Sequence, residues 1–189
     1  MKIVLGITGS VAATLTPKIV KALLEEGHEV KVVTTERGAY FFNAFDVSVQ
    51  GVEVLRDKDE WPEDGYKKGA IVPHIDLHKW ADMLLIAPLT ADTLTDIAIG
   101  KADKFLTCIA YAWPLDKPFA VAPAMNTNMW NNPLTKDHLT QIDERYLKFK
   151  VIDPISNMLA CGDVGMGAMA KIQTIVDTVK RFEAIEEKK

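Results

Sequence analysis

Lys2-Ile3-Val4-Leu5-Gly6-Ile7-Thr8-Gly9-Ser10-Val11 is the stretch on which the fold turns. An apolar run of strand length passes through glycine into hydroxyl-bearing residues, the pattern of a buried parallel strand that ends at a tight turn. Glycine there leaves backbone N–H groups open, and Ser10 adds a hydroxyl, which suits a phosphate at a helix N-terminus. The spacing is neither G-x-G-x-x-G nor G-x-x-x-x-G-K-[ST], so the common dinucleotide and P-loop readings lose support. A mononucleotide site and a plain strand-to-helix turn both stay open.

Working outward, residues 30–34 form a second strand run, and Ile19, Val20, Leu23 and Leu24 recur between the two at helical spacing. Pro17 suits the first turn of that helix, Thr16 its cap and Gly27 its end. Residues 82–87 and 117–122 read as third and fourth strands. Leu94, Ile97 and Ala98, then Phe105, Leu106 and Ile109, supply two helical faces between them. Residues 146–152 read as a short fifth strand and 171–185 as a closing helix. Strands alternating with helices predict an α/β three-layer sandwich around a central parallel sheet. Residues 56–69 read as a charged surface loop. Residues 155–169 hold glycines, no helical pattern and Cys161, and read as a functional flap.

The 189 residues with 48% hydrophobic content predict one domain, spanning 1–189. A net charge of −4 with interspersed signs gives no basic stripe, so nucleic acid is not an expected partner. Apolar runs such as 83–87 are too short to span a membrane. The N-terminus enters a strand directly, without the pattern of a signal peptide. Cys108 and Cys161 are far apart and lack metal-ligand spacing. The expectation is a soluble cytoplasmic protein with reduced thiols and no metal.

Candidate chemistry gathers at the strand ends, where open α/β sheets place it. Thr34 and Thr35 end the second strand, and Thr90-Ala91-Asp92-Thr93 follows the third. Helix capping accounts for Asp92 or Thr93 as well as ligand binding does, but three strand ends bearing Gly, Ser or Thr point to one phosphate-bearing cofactor. After the fourth strand comes Pro123-Ala124-Met125-Asn126-Thr127-Asn128-Met129-Trp130, which sets an amide able to grip a carboxylate among apolar side chains. Ala160-Cys161-Gly162-Asp163 offers a thiol beside glycine, open to close approach by a ligand. His74 opens Pro73-His74-Ile75-Asp76-Leu77-His78, either as an acid/base group or as a surface histidine; a metal would need a third ligand beside His74 and His78. Cys108 lies on a helical face and reads as core.

These motifs in order identify a resemblance. Residues 6–13, Pro73 to Leu77, Trp80-Ala81-Asp82, Ile86-Ala87-Pro88, Pro123 to Trp130 with Asn131-Asn132-Pro133, and residues 159–169 are similar to the flavin-dependent cysteine decarboxylases. Within that family the chain most closely resembles the phosphopantothenoylcysteine decarboxylases of the plant halotolerance-protein type, over nearly its whole length. The resemblance implies FMN, a flavodoxin-like (Rossmann-like) fold, and a homotrimer with active sites at subunit contacts. By position it implies FMN contacts from Gly9, Ser10, Val11, Thr34, Thr90, Ala91, Asp92, Thr93 and Ala124. It makes His74 the base, Asn126 the carboxylate-binding amide and Cys161 the proton donor, with Met129 and Ala160 beside the substrate.

The implied reaction converts 4′-phosphopantothenoylcysteine to 4′-phosphopantetheine in coenzyme A biosynthesis, through thiol oxidation, CO₂ loss and enethiol reduction. Cys161 points to the complete reaction, because relatives that stop at the enethiol lack this cysteine. Another cysteinyl substrate, or a flavin-binding regulatory subunit of a phosphatase, are the other readings; the short charged end 183–189 argues against the latter. Three positions depart from the family pattern: Asp92 replaces an amide, Lys79 an arginine, and Met169-Ala170-Lys171-Ile172 the usual Met-Ala-Glu-Pro. A negative Asp92 near an anionic cofactor leads to the expectation of weaker FMN retention than in an Asp92→Asn variant.

Overall fold

The computed structural model describes residues 1–63, 65, 67–158 and 164–187. β1 (Lys2–Ile7) leads through a 3₁₀ turn, Val11–Leu15, to α1 (Thr16–Glu25) and β2 (Glu29–Thr34). α2 (Glu36–Ala39), α3 (Phe45–Ser48), β3 (Val54–Leu55), α4 (Asp57–Glu60) and α5 (Pro73–Trp80) precede β4 (Met83–Leu89). α6 (Ala91–Ile99), α7 (Phe105–Tyr111), β5 (Phe119–Pro123), α8 (Thr127–Trp130), α9 (Pro133–Arg145) and β6 (Phe149–Val151) complete the main body. β7 (Ile155–Met158), β8 (Val164–Ala168) and α10 (Ile172–Glu186) close the chain.

Six parallel strands pair in the order β3-β2-β1-β4-β5-β6. From β1 the chain runs outward to β3, then returns to β4 on the other side of β1. Crossovers on either side of that point leave a crevice beyond the C-terminal ends of β1 and β4, where ligands bind in such sheets. Strand parity builds the layers. Ile3, Leu5 and Ile7 face one way, onto Ile19 and Leu23 of α1 and Ile175 and Val179 of α10. Val4, Leu84 and Ile86 face the other, onto Leu94 of α6, Leu106 and Ile109 of α7 and Ile142 of α9. Each fully buried side chain of this size contributes about 1.5–3 kcal/mol relative to exposure.

Several sequence expectations are refined. The segment 56–69 begins with a turn of helix, α4, held by the Asp59 carboxylate, which accepts from the Arg56 N–H at 2.7 Å. Thr16 is the first residue of α1 rather than its cap, and its hydroxyl donates to the Ala13 carbonyl at 2.7 Å. Tyr146 ends α9 instead of starting a strand, its hydroxyl donating to the Ala110 carbonyl at 2.7 Å. The flap segment contains an antiparallel hairpin, β7–β8. No helix among the described residues is long and apolar enough to cross a membrane.

His28 is buried at the N-terminal end of the sheet, its Nδ1 3.2 Å from the Met1 amine and 3.7 Å from Glu183 Oε1. Burial, with the terminal ammonium, holds the imidazole below its ordinary 6.5, against the pull of Glu183. A depressed histidine value means that the unfolded chain binds the proton more readily. Its contribution is therefore complete above the unfolded value and is lost as pH falls through the folded one. A His28→Asn variant should show a flatter stability profile below about pH 6.5 than the wild type, read by urea unfolding at successive pH values.

Candidate active site

Thr8 ties the two strand ends at the crevice together. Its fully buried hydroxyl donates to the Pro88 carbonyl at 2.8 Å and accepts from the Thr90 N–H at 2.9 Å. From there three helical starts converge. Ser10 caps the 3₁₀ turn, its hydroxyl accepting from the Ala12 N–H at 3.3 Å. Thr35 caps α2 by accepting from the Gly38 N–H at 3.0 Å, and Thr90 caps α6 by accepting from the Thr93 N–H at 3.4 Å. Each cap leaves further amides of its first turn directed outward. Between them lies a cavity of about 600 Å³, lined by Gly9, Ser10, Thr35, Thr90, Ala91, Asp92 and Thr93, with Ala124, Met125 and Met129 across from them. Gly9 is required by a close approach, since a Cβ there would sit 2.6 Å from Arg37 Cβ.

Two of the expected contacts fall elsewhere. Thr34 does not line the cavity: it is the last residue of β2, fully buried, and its hydroxyl donates to the Thr35 carbonyl at 3.1 Å. Strand parity turns Thr34 inward and leaves Thr35 at the cavity wall. Val11 is half exposed at the start of the 3₁₀ turn and is also outside the lining.

Asp92, expected to place a negative charge at the site, is paired. Lys104 Nζ lies 3.1 Å from Asp92 Oδ2 and 2.5 Å from Asp96 Oδ2, and both Asp92 and Lys104 line the cavity. Burial pulls the Lys104 ammonium down, but its hydrogen bonds to Asp96 and Asp92 outweigh this and raise it above its ordinary value.

On the opposite wall, β5 ends at Pro123 and the Ala124 N–H donates to the Leu89 carbonyl at 2.9 Å. Asn126 caps α8, its side-chain oxygen accepting from the Asn128 N–H at 2.8 Å. The hairpin rests on this turn, with the Met125 N–H donating to the Gly167 carbonyl at 2.9 Å. Cys161 and Ala160, expected at the site, lie outside the described residues, in the connection between β7 and β8.

His74 stands apart from the cavity lining. It opens α5, where its N–H donates to Glu60 Oε2 at 2.9 Å and its Nδ1 lies 2.5 Å from Glu60 Oε1. Glu60, whose side chain is almost wholly buried, belongs to α4, and Asp57 of the same helix lines the cavity. Sequence reading missed Glu60, which lies 14 residues from His74 with no local pattern to join them. Cys108 Sγ is 3.3 Å from the Ala102 carbonyl, and burial, with Glu60, Asp103 and Asp57 nearby, pushes its thiol up, which suits a structural residue. Among the described residues no three His, Cys, Asp or Glu side chains converge on a metal position.

The donor set fits FMN. Hydroxyls and first-turn amides at Ser10, Thr90 and Thr93 suit a phosphate and ribityl chain, and Ala91, Ala124, Met125 and Met129 give an apolar wall for a planar ring. The cavity volume lies within the roughly 300–1,000 Å³ common to cofactor sites.

A family model described as Flavoprotein matches residues 1–183. The mouse protein named phosphopantothenoylcysteine decarboxylase is 45% identical over 180 residues, covering 95% of this chain and 85% of that one. A solved PPC decarboxylase carrying a cysteine-to-serine substitution, complexed with pantothenoylaminoethenethiol, superposes with a TM-score of 0.90. It is 44% identical, and the match covers 97% of this chain and 98% of that one. The FMN binding protein AtHal3 gives a TM-score of 0.85 at 45% identity, over 96% and 95% of the two chains. With family model, sequence and architecture in agreement, this chain belongs to the flavoprotein family, in the group that holds the phosphopantothenoylcysteine decarboxylases.

Proposed function

We propose that the protein is an FMN-dependent carboxy-lyase that converts 4′-phosphopantothenoylcysteine to 4′-phosphopantetheine in coenzyme A biosynthesis. It acts as a cytoplasmic homotrimer. The observation that carries this reading is the cavity at the β1–β4 crevice. It joins the three hydroxyl-capped helical starts to the Ala124–Met129 turn, on which the β7–β8 hairpin is seated through Gly167.

Bound FMN supplies a two-electron acceptor that afterwards serves as donor, so the decarboxylation carries no net redox change. The chain's own residues bind, orient and move protons. Ser10 and the amides after it would hold the cofactor phosphate, with Gly9, Thr90, Ala91 and Thr93 flanking it and Ala124 beside the ring. The Asn126 amide oxygen is engaged by Asn128, and the amide nitrogen is the end that donates to the substrate carboxylate. Met129 shelters that carboxylate from water, which favours loss of neutral CO₂ over retention of charge.

His74, oriented by Glu60, receives the substrate thiol proton, and Cys161 supplies the proton that completes the product. His74 lies off the cavity of its own chain, and a trimer lets it serve a neighbouring copy's cavity. Exposed Trp61 and Ile71 near α5, with Met129 of α8 and Met166 of β8, are apolar surfaces for such a contact. Sedimentation equilibrium at three chain masses supports the trimer, and one chain mass refutes it.

The activity is tested by mass spectrometry of 4′-phosphopantothenoylcysteine incubated with FMN-loaded protein. Wild type should yield 4′-phosphopantetheine, and Cys161→Ser should stop at the oxidised enethiol. Unchanged substrate with FMN bound would refute the assignment and favour another cysteinyl substrate or a flavin-binding phosphatase subunit.

A further inference from the structure

We propose that Lys104 is a positioning residue of the cofactor site, the counter-charge that makes Asp92 compatible with an anionic ligand in the cavity. This rests on the FMN reading above. The α6–α7 junction at the cavity wall carries three carboxylates, Asp92, Asp96 and Asp103, against two ammonium groups, Lys101 and Lys104. Lys101 is engaged chiefly by Asp103 at 2.8 Å and stands 3.8 Å from Asp96. Lys104 alone in this cluster is within ion-pair reach of both Asp92 and Asp96. The other charged residues of the lining are Glu36, Arg37 and Asp57, so the wall holds no surplus of cations to take over this task.

Asp92 sits in the first turn of α6, two residues after the Thr90 cap, where the helix offers its amides to the ligand. A carboxylate there competes with a ligand phosphate for the same positive end of the helix. Lys104, the N-cap residue of α7, reaches across to neutralise it and also fixes α7 against α6 through the buried Asp96. Since Asp92 is already neutralised, Asp92→Asn gains little, and the tighter binding expected of it from sequence gives way to near-equality.

The test is FMN affinity by flavin fluorescence titration for five proteins: wild type, D92N, K104R, K104Q and D92N/K104Q. D92N and K104R should bind within about threefold of wild type, K104Q about fivefold more weakly. The double variant should return to within about threefold of wild type. Recovery in the double variant separates charge balance from simple bracing of α7, because Asp96 still lacks Lys104 there. A K104Q protein that does not fold, beside a double variant that folds and binds, supports the proposal equally. K104Q binding like wild type, or a double variant as weak as K104Q or unfolded with it, overturns the proposal. Wild type that takes up no FMN would instead overturn the flavin reading on which the proposal rests.

Discussion

Gly167→Ala should lower decarboxylation by about a hundredfold while leaving FMN affinity unchanged. Gly167 has φ +135°, a backbone conformation that L side chains rarely adopt. A Cβ there would collide with the Met125 carbonyl oxygen, a backbone atom that cannot swing away. The same residue accepts the Met125 N–H at 2.9 Å, so this contact both seats β8 and fixes the turn that carries Asn126. Gly165 repeats the arrangement one pair along, where a Cβ would strike the Thr127 hydroxyl. Lifting the hairpin releases the Met125 N–H and with it the turn that carries Asn126, the residue proposed to hold the substrate carboxylate. A misplacement of about 1 Å is enough to cost a hundredfold in rate. On the proposed reading FMN is held mainly from the other wall, by Ser10, Thr90 and Thr93, which line the cavity opposite the Ala124–Met129 turn. Steady-state turnover beside a flavin titration decides the matter; wild-type turnover in Gly167→Ala would show that hairpin seating does not limit catalysis.

The elements that read clearly from sequence are those whose burial is continuous. β1, β4 and β5 are apolar runs because both of their faces are covered, β2 is so over its last residues, 32–34, and the alternation of strands with helices already implied a crevice at their C-terminal ends. α9 escaped because only Thr135 and Ile142 are buried along it, too few to set up a helical period. Its usable signal was local: Asn132 accepts from the Leu134 N–H at 3.0 Å, with Pro133 in the first turn. β3 has two residues and no pattern to find.

At the site, strand-end hydroxyls were legible as a class, but which of Thr34 and Thr35 reaches the cavity depends on strand parity at the last residue of β2. The pairing of Asp92 was hidden for a different reason. Its partner lies 12 residues away on the next helix, and only the packing of α7 against α6 brings the two together. Glu60 and His74 repeat that lesson across α4 and α5. Charge compensation between elements is a tertiary property, and a sequence pattern carries no period for it.

Thr8→Val should lower stability and cofactor retention together. Valine has the branched shape of threonine, so the change removes the hydroxyl and leaves its two buried partners unsatisfied. Thr8 is fully buried, and its hydroxyl satisfies both the Pro88 carbonyl and the Thr90 N–H. Each buried backbone group left without a partner costs about 1–3 kcal/mol. For a chain of this size, about 3 kcal/mol in total corresponds to a fall in Tm of roughly 6–12 °C. The consequence reaches the site because Thr90 caps α6 and Ser10, whose N–H donates to the Thr8 carbonyl at 2.7 Å, caps the first turn. Loosening the link between the β1 and β4 ends separates the two helical starts that line the cavity, and FMN affinity should fall at least about tenfold, since a 1.4 kcal/mol loss suffices. Thr8→Ser keeps the hydroxyl and gives up one methyl group, so it should retain FMN while losing only about 1 kcal/mol of stability. Calorimetry of the apo-proteins with parallel flavin titration measures both effects. Equal FMN affinity in the valine and serine variants would show that the cavity does not depend on the Thr8 bridge.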